Sequence, residues 1–95
     1  MKIYLTAVIK AKPEFLNEVK TMLKDMVVQT KNEKACIQYD LHQDTENENI
    51  FVFYEIWADQ AGLDIHNEQP YIKNLGAAVP EKLQEAPMIF KMDKI

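Results

Sequence analysis

Apolar residues recur with a period of two at the start of the chain. Ile3, Leu5, Ala7 and Ile9 share one face and Lys2, Tyr4, Thr6, Val8 and Lys10 the other, the alternation of a β-strand. The period then changes. Pro13 suits the first turn of a helix, and Phe15, Val19, Met22, Leu23, Met26 and Val27 follow at spacings of three and four, which predicts a helix over 13–30 ending in the polar stretch Gln29 to Lys34. From Ala35 the period of two returns, with Ala35, Ile37, Tyr39 and Leu41 set against Cys36, Gln38, Asp40 and His42. The polar run from Asp44 to Asn49 predicts a turn, and the run IFVFYEIW over 50–57 is the most strand-prone of the chain, so these two strands form an antiparallel hairpin. Asp59 is placed to cap a short helix carrying Ala61, Leu63 and Ile65, and Pro70 interrupts it before a further helical stretch with Tyr71, Ile72, Leu75 and Val79. Pro80 either breaks that stretch or restarts a turn through Leu83, and 87–94 (PMIFKMDK) predicts a last strand.

The order β-α-β-β-α-β fits a ferredoxin-like α+β sandwich: a four-stranded antiparallel sheet with its helices on one face. One feature of the third strand goes beyond that. Phe51, Phe53 and Trp57 alternate with Ile50, Val52, Tyr54 and Ile56, so the strand is apolar on both faces. A sheet face that meets water is polar. The second face is therefore expected to meet another surface, and a second copy of the same sheet is the simplest one.

Composition narrows the function. The 95 residues are 47% hydrophobic and 27% charged, enough apolar side chain for one core and too short for two, so residues 1–95 are expected to form a single domain. Eleven lysines and no arginine stand against 15 acidic residues, a net charge of −4, which argues against nucleic acid, where binding rests on neutralising phosphates. No apolar run approaches a bilayer span, and the first apolar stretch ends in charge within ten residues, as expected of a cytoplasmic protein. With one cysteine the chain has no internal disulfide and no multi-cysteine metal site, and with only Gly62 and Gly76 it has no glycine-rich loop for a nucleotide cofactor.

Chemistry then falls to a few protonatable side chains. Glu55 is the odd residue in its run, on the same face as Phe53 and Trp57. Turned toward the helices it is a costly buried carboxylate of raised pKa, suited to proton transfer; at an outward-bending strand end it is solvated, and the residues alone leave both open. His66, nine residues after Trp57, either looks into a cavity between sheet and helices as a proton carrier or caps its helix. His42, between Asp40 and Asp44, reads as an exposed strand-end residue, since His42, Asp44 and His66 lack a metal-ligand spacing. Cys36 has no base that can be placed beside it and reads as structural.

The stretches Cys36-Ile-Gln-Tyr39-Asp-Leu41, Phe51-Val-Phe53-Tyr54-Glu55-Ile-Trp57, Leu63-Asp-Ile-His66 and Gln69-Pro70-Tyr71 together resemble the antibiotic biosynthesis monooxygenase (ABM) family, in particular its small stand-alone quinol monooxygenase type. The resemblance covers nearly the whole chain. It implies a ferredoxin-like homodimer, an α/β-barrel-like assembly whose two sheets pack face to face, with a pocket in each subunit. It also implies oxygenation of a small quinol or polycyclic phenol by dioxygen with no metal, flavin or haem. Trp57 matches the pocket tryptophan of the polyketide-type members, while their strand asparagine falls on Phe53 and their helical tyrosine near Leu63. The haem-degrading branch needs an asparagine where this chain has Ala7 and a histidine where it has Asn74 to Ala77. The branch that isomerises the phosphorylated autoinducer-2 signal is similar across Glu55, His66 and Pro70 but has a second histidine where Tyr71 stands. The resemblance thus leads to His66 as proton acceptor, Glu55 touching and orienting it, and Phe53, Trp57, Leu63 and Tyr71 as the walls for an aromatic substrate. Isomerisation of a small carbonyl metabolite through the same base, or ligand binding without turnover, are the alternatives.

Overall fold

The computed structural model describes residues 1–95. The strand β1 (Ile3–Lys10) leads through a short 3₁₀ turn at Pro13–Phe15 into the helix α1 (Leu16–Thr30). The hairpin β2 (Cys36–Gln43) and β3 (Ile50–Trp57) follows, then α2 (Gln60–Asn67), α3 (Pro70–Lys82) and β4 (Met88–Met92). The four strands make one antiparallel sheet in the order β2-β3-β1-β4, so the fold is the ferredoxin-like α+β sandwich expected.

Alternation along the central strands sorts side chains between the two faces of the sheet. Leu5, Ala7 and Ile9 of β1 and Phe51, Phe53, Glu55 and Trp57 of β3 are buried against the helices, joined by Val19, Leu23 and Met26, the inward stripe of α1. The other face carries Tyr4, Thr6 and Val8 of β1, Ile50, Val52, Tyr54 and Ile56 of β3, and Met88, Phe90 and Met92 of β4, in register across the strands. The expected apolar second face is therefore present, and β4 extends it. Most of the polar groups there come from β2, Gln38, Asp40 and His42, with Thr6 and Lys10 from β1.

Local departures have local causes. A β-bulge between Cys36 and Gln38 puts two residues of β2 against one step of β3, so Cys36 lies opposite Trp57 while Ile37, expected beside Tyr39 on the inner face, is 50% exposed. Pro80 does not break α3. It sits in the last turn, where only a few bonds remain to be made, and the helix runs on to Lys82 with Leu83 N–H donating to Val79 O. The last strand is shorter than expected, five residues.

One close approach sets up the site. Asp59 caps α2 by accepting from the Gly62 N–H at 2.8 Å, and Gly62 itself is pressed against the turn between α1 and β2: a Cβ there would stand 2.2 Å from Ala35 Cβ. Glycine is required by this contact, not by its dihedrals. The Ala58 N–H donates to Ala35 O at 2.9 Å and pins the same turn to the end of β3. One helical turn beyond Gly62, on the same face of α2, is His66.

Candidate active site

A cavity of about 480 Å³ lies between the sheet and the helices. Its floor is made of two rows of inward side chains that cross the sheet. Tyr39, Glu55, Leu5 and Lys91 are successive cross-strand neighbours from β2 to β4, and Phe53, Ala7 and Ile89 form the adjacent row. Leu63 and His66 of α2 and Ile72 and Leu75 of α3 form the roof. The surface is mainly apolar with a few convergent polar groups, the composition of a small-molecule site.

His66, 4% exposed, stands at the closed end of this space with its ring 4.4 Å from the Trp57 ring and 5.5 Å, edge-on, from Tyr39. Its Nδ1 lies 2.7 Å from Glu33 Oε2, an oxygen that also accepts from the Tyr71 hydroxyl at 2.5 Å. A carboxylate only accepts, so the proton of a neutral His66 belongs on Nδ1. That leaves Nε2, which has no partner within the chain, as the basic atom on a ring that lines the cavity. Burial lowers the His66 pKa below its ordinary value and outweighs the hydrogen bond and charge of Glu33, which raise it, so the resting imidazole is neutral. The second oxygen of Glu33, Oε1, is buried without a partner. Its charge is thus compensated at one oxygen only, which favours an imidazolium beside it whenever His66 takes up a proton.

Glu55 is the second carboxyl group, 4% exposed, and its Oε1 accepts from the Trp57 indole N–H at 2.9 Å. Burial pushes its pKa up to about 7, with the Trp57 bond pulling down and the Glu33 charge adding to the rise. Near neutral pH Glu55 therefore exists in both protonation states. Tyr39 and Tyr71 stay phenolic: burial raises both, with the Glu55 charge adding at Tyr39 and the Glu33 bond and charge at Tyr71. Burial, then Glu33 and Glu55, also raises the Cys36 thiol, away from the thiolate a nucleophile needs.

Of the residues singled out from the sequence, Glu55, His66, Phe53 and Leu63 come together around the cavity. Two expectations are corrected. Glu55 is not the partner of His66, because its carboxyl is held by Trp57 while Glu33 reaches the imidazole from the α1–β2 turn. Trp57 and Tyr71 are not walls: Trp57 is fully buried beneath His66, and Tyr71 is turned to Glu33. His42 lies on the outer face of β2 with Nδ1 3.3 Å from Val52 O, apart from both Asp44 and His66. Glu33 was missed because Asn32, Glu33 and Lys34 read as a solvated turn; the only local signal was the glycine at 62, which marks the place where that turn meets α2.

The antibiotic biosynthesis monooxygenase family model matches residues 2–78. A Bacillus subtilis protein, the monooxygenase-type YcnE, is 35% identical over 86 residues, covering 90% of each chain. An uncharacterised Synechocystis protein is 31% identical over 87 residues, 92% of this chain, which spans 58% of that protein's length. Among solved structures, a Pseudomonas aeruginosa protein superposes with a TM-score of 0.92 at 28% identity, covering 99% of this chain and 94% of its own. Another, solved as an antibiotic biosynthesis monooxygenase, gives 0.90 at 29% identity with 98% of both chains covered. With fold and sequence in agreement over most of its length, the chain belongs to the antibiotic biosynthesis monooxygenase family.

Proposed function

We propose that this protein is a homodimeric oxygenase that hydroxylates a small quinol or related phenol with dioxygen, using His66 as its base. The observation that carries the reading is the Glu33–His66 pair: a neutral imidazole with Nδ1 fixed at 2.7 Å from a carboxylate and Nε2 left for the cavity. A phenol hydroxyl transfers its proton to Nε2, and Glu33 steadies the imidazolium. The phenolate is electron-rich at its ortho carbon and gives an electron to dioxygen; the two radicals combine to a C–O bond, and His66 returns its proton to the terminal oxygen of the peroxide. Loss of the ring hydrogen as a proton with cleavage of the O–O bond releases water. Hydroquinone plus dioxygen thus gives hydroxybenzoquinone plus water, the substrate supplying all the electrons and no other reductant being consumed. Glu55, titrating near neutral pH, is suited to exchange that last proton.

The outer sheet face supports the dimer. Ile50, Val52, Tyr54 and Ile56 stand beside Met88, Phe90 and Met92 through β1, a contiguous apolar surface of the kind monomers avoid. Sedimentation at micromolar concentration is expected to give a dimer; a monomer overturns this part of the reading.

Oxygen uptake is the test of activity. Purified protein with hydroquinone in air should consume dioxygen above the autoxidation background, rising with pH as His66 is deprotonated. His66→Ala should lower kcat by about two to four orders of magnitude, the usual contribution of a general base. Near-normal uptake by a folded His66→Ala dimer, or turnover of a carbonyl substrate only and without oxygen, would show that the reading is wrong.

A further inference from the structure

The open end of the cavity holds a cation that the reaction above does not use. Lys91 is the fourth member of the floor row Tyr39–Glu55–Leu5–Lys91. Strands are spaced by about 4.8 Å, so it stands about 10 Å across the sheet from Glu55 and about 14 Å from Tyr39, against which His66 packs. It is the only lysine among the residues that line the cavity. Lys10, Lys73 and Lys82 all pair with glutamates, whereas the Lys91 ammonium donates to the side-chain carbonyl of Gln60, the first residue of α2. Gln60 is turned for that purpose by Asp64, which accepts from its amide at 2.8 Å. The lysine is therefore held in place by a neutral dipole and keeps its charge for another anion, with Asp64 one helical turn along α2 from Gln60, on the exposed side.

We infer that Lys91, positioned by Gln60, selects substrates whose aromatic ring bears a carboxylate arm, the ring lying over Phe53 and Ala7 with its hydroxyl at His66 and the arm reaching the β4 edge. The inference rests on the reading of the cavity as an aromatic-ring site. A single carboxylate is favoured over a phosphate by the donors present. One ammonium is a point charge, the chain has no arginine fork, and the Gly62 N–H at the start of α2 is already taken by Asp59.

Binding under anaerobic conditions tests this apart from turnover, with the single tryptophan, Trp57, as the fluorescent reporter against His66. The probes are 2,5-dihydroxyphenylacetate and its methyl ester, which differ only in the charge of the arm. The acid should bind about tenfold or more tightly than the ester, as expected for a charge-assisted bond. In Lys91→Gln the ratio of the two dissociation constants should fall to about one, and in Lys91→Glu it should invert. Equal affinity of both probes for the unaltered protein, or a ratio that survives Lys91→Gln, overturns the inference; so does absence of binding by either probe, which also removes the aromatic-ring reading. A preference for the acid that depends on Lys91, found without oxygen uptake, supports the inference while the oxygenase reading fails.

Discussion

Phe53 and Ile89 occupy the same cross-strand row of the cavity floor, one on each side of Ala7, yet Phe53 is 1% exposed and Ile89 56%. The difference follows from strand order. β3 lies inside the sheet with helices above it, whereas β4 is an edge strand with nothing beyond it. The two ends of the cavity inherit this contrast. At the closed end Glu33 holds His66 and Tyr71, and Glu55 holds Trp57, by hydrogen bonds of 2.5–2.9 Å, while at the open end a lysine leans on an exposed glutamine. Rigid placement suits the transfer of a proton, which tolerates little displacement. A cation at an exposed edge, held by a neutral group, suits the capture of a charged arm. The family model ends at residue 78, before the edge strand that carries Lys91.

The comparison can be broken most strongly by truncating the two ends of one row. Phe53→Ala should cost about 3–5 kcal/mol in denaturant unfolding, the range for emptying an aromatic site in a packed core. If Phe53→Ala and Ile89→Ala cost the same, the closed end is no better packed than the edge. Glu55 gives the next largest effect. Its folded pKa of about 7 lies above the ordinary 4.5, so its contribution to stability is full below about pH 4.5 and is lost as pH rises toward 7. That displacement corresponds to about 3 kcal/mol. Glu55→Gln cannot ionise and should therefore gain about this much on the unaltered protein between pH 4 and pH 9, measured by urea unfolding at both.

Glu33 acts on the chemistry through His66. A hydrogen bond to a charged group is worth about 1.5–3 kcal/mol, so Glu33→Gln should lower kcat by about ten- to a hundredfold. Because Glu33 raises the His66 pKa, its neutralisation should also move the rising limb of the pH–rate profile to lower pH, which a purely structural role would not do. Smallest of all is Ile89→Ala, expected to change stability by less than about 1 kcal/mol, because a half-exposed edge side chain has little burial to lose.

Much of this molecule can be read along the chain because the information is periodic. The alternation of Ile3 to Ile9 and of Ile50 to Trp57, the three-four spacing of Val19, Leu23 and Met26, and the cap at Asp59 determine the elements, the inner face and the ferredoxin-like order. They also marked the apolar outer face and brought Glu55 and His66 forward as the unusual polar groups of the core. What periodicity could not determine is which side chain meets which across the fold. His66 takes Glu33, thirty-three residues away, instead of Glu55, because the missing Cβ of Gly62 lets the α1–β2 turn close on α2. Trp57 and Tyr71 leave the cavity wall because each has a polar tip that finds a carboxylate behind it. Lys91 is a routine strand-end lysine until the sheet register sets it in one row with Glu55. Local spacing determines which face a residue occupies; its partner is decided by closure of the chain in three dimensions, where one ångström of approach outweighs any distance in sequence.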